Sequence, residues 1–419
     1  MNPLHILLVD NYLSNTRGGI SAISSALANG MADRGHRVTL YTTATWKRRS
    51  LYPLRGKVDL RFYRFTDKNL KIQKLREELR RLNPDVCAPL LPDGRHLVWA
   101  VTLLGSGIPL LYSEHHSPWI IEKEWWSRKG RLAVLSGADR IHLLLPSFAA
   151  SVPEWLLPIV RVIPNPAPGI KEQADAAGRG SGRKRLLWLA RLQEPLKQCR
   201  LALDAFALLA ARFPEWDMHV VGDGPDRKMI HKHAASLGLS KRLVLHGEAT
   251  DVFPHYLAAQ LFCISSRAEG MPNTLLEAQA CGLPAVGFAG CDGVAELIRP
   301  GENGLLAEEM STACLAGRLS ELMGDAEART RMGENARLVS TEYSLNGFLD
   351  AWENLFHETS ACKGHTVMDA FAEEPFASMA RLSAVARREW LWRDFGMPMP
   401  GSFEAYCQWF LRPKTGTGV

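Results

Sequence analysis

The stretch Ser265-Ser-Arg-Ala-Glu-Gly-Met-Pro-Asn-Thr-Leu-Leu-Glu277 joins two elements that the sequence predicts. The apolar run Leu261 to Ile264 precedes it and indicates the end of a buried strand. The run from Leu275 to Gly282 follows and is typical of a short helix that a glycine ends. We therefore predict a strand, a loop and a helix in this order, with the quoted stretch as the loop and helix start.

The start of this helix has the composition of an anion site. Pro272 suits the first helical turn, because its missing N–H would have no partner there. The backbone amides of Asn273 and Thr274 would then point out of the helix without intrahelical partners. Free amides and the helix dipole together bind phosphate groups, so we predict that a phosphate lies here.

Two carboxylates flank the predicted phosphate site. Glu269 lies before the helix, and Glu277 lies eight positions later, inside it. Such acids suggest a nucleotide sugar as ligand, with Glu269 on the sugar hydroxyls and Glu277 on the ribose hydroxyls. The alternative is an ordinary strand, loop and helix with two solvated acids, because glutamates at this spacing also occur by chance.

The motifs after this helix extend the pattern through Gly282-Leu-Pro-Ala-Val-Gly287, Gly293-Val-Ala-Glu296 and Gly301-Glu-Asn-Gly304. With them, the chain resembles the retaining glycosyltransferases of family 4 over roughly residues 4 to 357. The resemblance implies an α/β architecture called GT-B, with two Rossmann-like doubly wound domains facing across a cleft. It assigns the family's Glu-x7-Glu signature to Glu269 and Glu277, gives Glu269 a catalytic role, and adds Gly270 and Met271 to the donor-binding residues.

Length and composition agree with a two-domain globular protein. The 419 residues are too many for one ordinary core, and 46% hydrophobic with 22% charged residues is typical of a folded protein. The net charge of +6 is mild and fits anionic partners such as nucleotide sugars or acidic lipid. The eight cysteines form no C-x-x-C pair, which argues against a zinc site or a disulfide framework and suits a reducing cytosol.

The N-terminal part begins with a predicted βαβ unit. His5 to Val9 is an apolar strand, a loop with Gly18 and Gly19 leads into a helix, and Val38 to Thr42 is the next strand. The spacing Gly-x-Gly-x-x-Gly is absent, so a dinucleotide-dependent dehydrogenase is not supported. A plain tight turn would explain the two glycines, whereas the resemblance implies that they lie near the acceptor and the donor phosphate.

A pair of histidines follows another predicted strand. The run Leu110 to Ser117 contains His115 and His116 at the strand's carboxyl end, where doubly wound folds bind ligands. A histidine there can donate to a phosphate or to a sugar oxygen. From the residues alone, a structural role is the simpler interpretation. The resemblance favours His115 as the cleft histidine with a catalytic role, because Ser-Glu-His is the usual run.

Two cations follow the strand that opens the second domain. Arg191 lies directly after Leu186 to Ala190, and Lys197 lies six positions later. Together they could hold a diphosphate, Arg as a fork and Lys as a point charge, although two surface cations are the alternative. Family members carry glycines at the places of Ala190 and Gln198, which puts the loop geometry in question. The resemblance gives Arg191 and Lys197 catalytic and donor-binding roles.

Two further loops complete the predicted donor site. Gly222 belongs to the glycine loop His219 to Pro225, which is permissive for a ligand but not specific. Glu248 begins the loop to Val252, whose backbone holds the nucleotide base in family members. We include Gly222 and Glu248 among the donor-binding residues.

The predicted domains follow from these elements and from the Gly- and Pro-rich segment after Pro166. They are an acceptor-binding domain at residues 1–166, a linker at 167–183, a nucleotide-sugar-binding domain at 184–344, a helix returning to the first domain at 345–359, and a helical appendage rich in Arg and Trp at 360–419.

Basic and aromatic residues suggest a possible membrane surface as partner. Ile121 to Arg131 combines tryptophans with Lys123, Arg128, Lys129 and Arg131, as at a lipid headgroup interface. A solvated helix face with buried tryptophans is the alternative, and for the appendage we favour packing on the protein. Leu97 to Ser113 predicts a buried helix and then a strand. We expect a cytoplasmic protein, peripheral on the inner face of a membrane if it binds lipid.

The predicted reaction is sugar transfer from a nucleotide diphosphate to a saccharide or lipid-linked acceptor, in cell-surface polysaccharide or lipopolysaccharide synthesis. Arg191, Lys197 and the helix start can stabilise the leaving diphosphate, so neither a metal nor a cofactor is expected. No Asp-x-Asp triplet occurs, in agreement with this. UDP is favoured over GDP, and no nucleic acid partner is predicted. The alternatives are a nucleotide-sugar epimerase of the same fold and a non-catalytic nucleotide-sugar-binding scaffold.

Overall fold

The computed structural model describes residues 2–14, 18–43, 49–63, 70–91, 96–103, 105–121, 128–180 and 182–366. These residues form two compact units. The first contains the described residues up to Ile163 and again from Leu349 onward, and the second extends from Pro164 to Phe348.

Thirteen strands and fourteen α-helices make up the described part of both units. The strands are β1 His5–Val9, β2 Arg37–Thr43, β3 Val58–Tyr63, β4 Val86–Leu91, β5 Leu111–Glu114, β6 Arg140–Leu143, β7 Val160–Val162, β8 Lys184–Leu189, β9 Trp216–Val221, β10 Leu243–Gly247, β11 Leu261–Cys263, β12 Ala285–Phe288 and β13 Gly304–Ala307. The helices are α1 Gly19–Asp33, α2 Leu70–Leu82, α3 His96–Leu103, α4 Pro118–Ile120, α5 Arg128–Gly137, α6 Cys199–Leu209, α7 Arg227–Ser236, α8 Phe253–Leu257, α9 Asn273–Ala280, α10 Asp292–Leu297, α11 Thr312–Gly324, α12 Ala326–Ala336, α13 Val339–Glu342 and α14 Leu345–Ser360.

The first unit is built on a seven-stranded sheet in the order β3-β2-β1-β4-β5-β6-β7, and its paired strands are parallel. All five residues of β1 are buried, as a central strand with helices on both faces requires. The chain moves outward from β1 to β3, then returns to the other side of β1 with β4. This reversal is the mark of a doubly wound fold, in which ligands bind at the carboxyl ends of the strands.

The second unit repeats this winding with a six-stranded parallel sheet in the order β10-β9-β8-β11-β12-β13. The strand order reverses between β8 and β11, whose neighbouring backbones pair at Leu186 with Leu261. The loops that follow β8 and β11 therefore lie side by side at the topological switch point. The predicted class of two doubly wound α/β sheets is confirmed.

The late helix α14 packs within the first unit from Leu349 onward. A Cβ placed on Gly30 of α1 would lie 2.4 Å from the Leu349 side chain, so glycine permits this close helix contact. Arg34 then donates to Glu353 at 2.5 Å and to Asp350 at 2.6 Å. These contacts attach a C-terminal helix to the first βαβ unit of the chain.

The segment Leu97 to Ser113 forms most of helix α3 and the start of strand β5, as predicted. Among the residues that the structure describes, no helix has the length and apolar character needed to cross a bilayer. The appendage proposed for residues 360–419 lies outside the described residues from position 367 onward.

Candidate donor and saccharide sites

The loop after β8 is held by close backbone contacts with the loop after β9. Gly222 has φ +128°, and a Cβ there would lie 2.0 Å from the Ala190 carbonyl oxygen. Only glycine fits both constraints. The Gly222 amide donates to the Gly247 carbonyl at 2.7 Å, which adds the end of β10 to the same edge. Gly222 therefore has a structural role, because its close backbone contact with Ala190 positions the loop that starts with Arg191.

The end of this loop is fixed by Ser265, at the carboxyl end of β11. Its hydroxyl oxygen lies 2.8 Å from the Gln198 carbonyl and 3.1 Å from the Lys197 carbonyl, and it accepts from the Trp188 indole at 3.0 Å. Gln198 adopts φ +50° and ψ +44°, the left-handed region that favours glycine. The loop thus keeps a glycine-like conformation although glutamine occupies the position.

Lys197 and Glu269 meet across the switch point. Lys197 Nζ lies 2.5 Å from Glu269 Oε1, and the two side chains are 20% and 11% exposed. The Arg267 amide donates to the Leu196 carbonyl at 2.9 Å and so joins the two loops that carry the pair. The predicted cation and the predicted sugar-binding acid are therefore neighbours, and solvent still reaches both.

The loop from Glu269 to Met271 is fastened on two sides. A Cβ on Gly293 would lie 2.3 Å from the Gly270 carbonyl oxygen, so glycine is needed where α10 begins. Asn165 donates from Nδ2 to the Met271 carbonyl at 3.2 Å and to Asn273 Oδ1 at 3.0 Å. Asn165 was not among the site residues predicted from the sequence.

The sequence predicted Pro272 inside the first helical turn. In the structure helix α9 begins at Asn273, and Pro272 is the N-cap residue that precedes it. Proline offers no side-chain oxygen to the first amides, and the helix has no side-chain cap bond. Asn273 and Thr274 are half-buried at this start. An uncapped helix start beside Lys197 and Glu269 has the positive potential that a diphosphate requires.

Glu277 lies inside α9 and accepts a hydrogen bond from the Tyr256 hydroxyl at 2.8 Å. Burial raises the pKa of Glu277 to about 7, although the bond from Tyr256 opposes this shift. Part of the residue remains exposed, so a ligand can reach it. Tyr256 was not anticipated from the sequence.

Arg191 and Glu248 lie on the surface of this region. Both are exposed, Arg191 two residues after the end of β8 and Glu248 directly after β10. The strands β8 and β10 are separated only by β9, so both residues lie at the carboxyl edge of the same sheet, where doubly wound folds bind ligands.

In the first unit, Gly18 is the N-cap of α1, so Gly18 and Gly19 begin this helix. Gly18 has φ −169°, and among the described residues nothing lies within 4 Å of an added Cβ. Its N–H and its carbonyl both bond to the Tyr52 hydroxyl, at 2.8 and 3.0 Å. Neither the backbone angle of Gly18 nor crowding by the described residues requires glycine at this position.

His115 follows β5 directly and is only 8% exposed. Its Nε2 lies 2.8 Å from the Ser113 hydroxyl. Burial, with His142 and His96 nearby, holds the pKa of His115 well below its usual range, so the ring is neutral at pH 7. His116 instead accepts from the amide of its own neighbour Ser117 at 2.9 Å.

Arg131 corrects one element of the sequence analysis. This predicted lipid-facing cation is 1% exposed and forms a bidentate pair with Glu114, at 2.8 and 2.7 Å. Its remaining donors reach the Ser151 carbonyl and hydroxyl. Arg131 therefore supports the strand end that precedes His115 and cannot contact a membrane. The tryptophans and Lys123 of that segment lie outside the described residues.

Two family models match this chain. Glycosyltransferase Family 4 matches residues 17–168, and Glycosyl transferases group 1 matches residues 170–339. Together they cover most of the chain, and the second contains the complete switch-point region of the second unit.

Similar proteins include an exopolysaccharide phosphotransferase of Streptomyces coelicolor, 33% identical over 48% of this chain but only 21% of that protein. A Campylobacter jejuni N-acetyl-D-galactosaminyltransferase, named for a substrate with a PP-undecaprenol end, is 22% identical over 81% of this chain and 95% of its own length.

A solved structure of Anabaena HepE, in complex with UDP and glucose, superposes with a TM-score of 0.71. It is 17% identical and covers 84% of this chain and 99% of its own, so it supports the fold alone. From the two family models and the shared GT-B fold, we conclude that the chain belongs to the group 1, family 4 glycosyltransferases.

Proposed function

We propose that this glycosyltransferase moves a sugar from a UDP-sugar to a saccharide or lipid-linked saccharide, with retention and without a metal ion. The contact between Lys197 Nζ and Glu269 Oε1, 2.5 Å long and beside the uncapped start of α9, carries the proposal. A nucleotide sugar offers each partner a replacement, a phosphate oxygen for Lys197 and sugar hydroxyls for Glu269. The exchange costs little, because both side chains are already partly solvated.

The leaving diphosphate accumulates negative charge as the glycosidic bond breaks. Arg191, Lys197 and the amides at the start of α9 would stabilise this charge, a task that a metal ion fulfils in other transferases. Glu269 would orient the sugar, Glu277 the ribose, and the backbone at Glu248 the base. The remaining predicted donor contacts, at Gly18, Gly19, Gly222, Gly270 and Met271, belong to the same proposal.

One group of described residues could offer a metal three ligands, namely His36, Glu353 and His357 in the first unit. His36 Nδ1 accepts the Leu4 amide at 3.0 Å, so its proton lies on Nε2, which donates to Glu353 at 3.1 Å. A coordinating nitrogen needs a free lone pair, and His36 therefore does not suit a metal in this arrangement. The group ties α14 to His36, the residue that precedes β2, instead.

The names of similar proteins support the acceptor class. Exopolysaccharide and PP-undecaprenol appear among them, and UDP with glucose was bound to HepE. We propose that this chain builds cell-surface polysaccharide or lipopolysaccharide from cytoplasmic UDP-sugars, at the inner face of the membrane that holds the acceptor.

Calorimetric titration with UDP and with GDP tests the donor site, with and without a chelator, on the wild type and on Arg191→Ala. We expect micromolar binding of UDP that chelation leaves unchanged and that the variant weakens. Binding of neither nucleotide would overturn the diphosphate site. Incubation with donor alone separates transfer from epimerisation, and the anomeric configuration of the product, read by NMR, tests retention.

A further inference from the structure

A chain of buried hydrogen bonds runs from the carbonyl of Ile163 to His115. Ser113 and His142 are direct partners on the parallel strands β5 and β6, which places their side chains on the same face. His142 Nε2 lies 2.8 Å from the Ile163 carbonyl oxygen, and Ser113 Oγ lies 2.8 Å from His142 Nδ1 and from His115 Nε2. All three side chains are at least nine-tenths buried.

The proton positions in these hydrogen bonds follow from the Ile163 carbonyl, at which the series ends. A carbonyl oxygen only accepts, so His142 must carry its proton on Nε2. Burial lowers the pKa of His142 to about 4, so the ring is neutral and Nδ1 holds a lone pair. The Ser113 hydroxyl donates its single proton to that lone pair.

The position of the ring proton on His115 follows in the same way. The Ser113 hydroxyl has no second proton, so it can only accept at His115 Nε2, which must therefore carry the N–H. His115 Nδ1 is left with a lone pair. This atom is buried and has no hydrogen-bond partner among the described residues, which marks it as an acceptor held for a ligand.

We propose that Ser113 and His142 are positioning residues that hold His115 Nδ1 as an acceptor for one hydroxyl of the substrate saccharide. Phosphate oxygens without a proton cannot bind to such an atom, so His115 does not serve the diphosphate. Of the two ligands that the sequence left open for this histidine, the geometry selects the sugar. The inference rests on the proposed transfer reaction, whose saccharide supplies the hydroxyl.

A fluorinated substrate tests the direction of this hydrogen bond. Fluorine accepts but cannot donate, so replacing the bound hydroxyl by fluorine should lower kcat/KM about tenfold in the wild type, the value of one good hydrogen bond. His142→Phe frees the Ser113 hydroxyl to donate to His115 Nε2, which moves the ring proton to Nδ1. We expect this variant to lose most of its discrimination against one fluoro analogue in a series covering each hydroxyl.

Ser136→Ala is the matched control. Ser136 is also a buried serine of the first unit, but its hydroxyl donates only to the Leu132 carbonyl of its own helix, at 2.7 Å. It should discriminate as the wild type does. Equal discrimination by wild type and His142→Phe for every analogue would overturn the proposal, since a merely structural His142 would lower both rates alike.

Nitrogen NMR of His115 tests the tautomer without turnover. We expect an unprotonated Nδ1 and a protonated Nε2 in the wild type, and the reverse in His142→Phe, with His115→Gln used to assign the signals. A wild-type ring protonated at Nδ1 would refute the inference. Failure of the proposed function is distinguishable, because it would abolish transfer in every variant and leave the tautomer unchanged.

Discussion

The two units wind their sheets in the same way but hold charge differently at the strand ends. Before His115 in the first unit, Arg131 and Glu114 form a pair whose side chains are both 1% exposed. In the second unit, Lys197 and Glu269 form a pair that is 20% and 11% exposed, and the exposed Arg191 lies on the same loop. One ion pair is sealed within the protein, and the other remains partly open to solvent.

This difference separates structure from ligand binding. A sealed pair has lost its water and depends on its partner, so it stabilises the position of the strand end. A partly open pair depends less on its partner, because water reaches it, and it can be exchanged for a charged ligand. The first unit accordingly presents a neutral histidine suited to hydroxyls, whereas the second presents cations suited to a diphosphate. Under the proposed function, a common topology thus supports two kinds of recognition.

The largest expected effect is on stability, from Arg131→Met. The substitution leaves Glu114 charged and buried without its cation, which costs about 3–5 kcal/mol. Native-state hydrogen exchange at the amides of β5 and β6 would measure this loss in the first unit by itself. The double variant with Glu114→Met is the control, and it should recover much of the loss, because an apolar pair avoids the stranded charge. A loss below about 1 kcal/mol would show that the pair is not sealed.

The matching change in the second unit, Lys197→Met, should affect catalysis instead. We expect kcat to fall by about 10²–10³-fold, since one charge that stabilises the leaving diphosphate is removed. Unfolding free energy should change less than in Arg131→Met, because solvent still reaches both side chains of the Lys197 pair. Lys184→Met, at the opposite end of β8 with a 3.8 Å contact to Glu215, is the control and should leave turnover unchanged. Equal turnover in both variants would contradict the role of Lys197.

The sequence predicted the features that depend on residues close together in the chain, and it missed those that depend on contacts between distant residues. Strands and helices followed from local apolar patterns, and β1, β2 and β8 lie close to their predicted positions. The candidate charges at this sheet edge were also chosen from local motifs, and two of them, Lys197 and Glu269, are in contact in the structure. Arg131 was misjudged because its partner Glu114 lies 17 residues away, and only the fold brings the two together.

The same limit applies to the supporting residues of each site. Asn165 contacts Met271 106 positions along the chain, and Ser113 contacts His142 29 positions along it. No local pattern reports such pairs. Gln198 is the opposite case, because a glutamine at this position argued against a glycine-like turn. The residue nevertheless adopts the left-handed conformation, and its carbonyl accepts a hydrogen bond from Ser265.

A smaller effect should follow from Gly222→Ala, which tests whether the open region depends on close backbone packing. Its φ of +128° and the Ala190 oxygen 2.0 Å from an added Cβ both oppose a side chain. Backbone strain of this kind costs about 1–3 kcal/mol, and we expect weaker UDP binding as the Arg191 loop shifts. Calorimetry and denaturant unfolding would measure both.

Gly317→Ala provides the matched control in the same unit. Gly317 lies inside α11 with nothing within 4 Å of an added Cβ among the described residues. The same chemical change should there stabilise the protein by about 1 kcal/mol, because alanine favours helix. Destabilisation at both positions would indicate that the method does not report local packing.

The smallest expected effect is a pH dependence of UDP-sugar affinity that arises in the second unit and not in the first. Burial raises the pKa of Glu277 to about 7, whereas the pKa of His142 is lowered to about 4 and that of His115 lies well below its usual range. Between pH 6 and 8, therefore, Glu277 ionises while these two histidines of the first unit stay neutral. Ribose hydroxyls donate to the carboxylate, so UDP-sugar affinity should rise about tenfold over this interval.

The protein's stability should change with pH in the opposite direction to its UDP-sugar affinity, so the two measurements check each other. Folded Glu277 has a raised pKa and holds its proton longer than the unfolded chain does, so its contribution to the unfolding free energy falls as the pH rises from about 4.5 to 7. Calorimetry of UDP-sugar binding in buffers of different ionisation enthalpy should show proton release near pH 6.5. A UDP-sugar is suitable because its diphosphate diester does not titrate there. In Glu277→Gln the affinity should not vary with pH, and a slope that persisted would place the titrating group elsewhere.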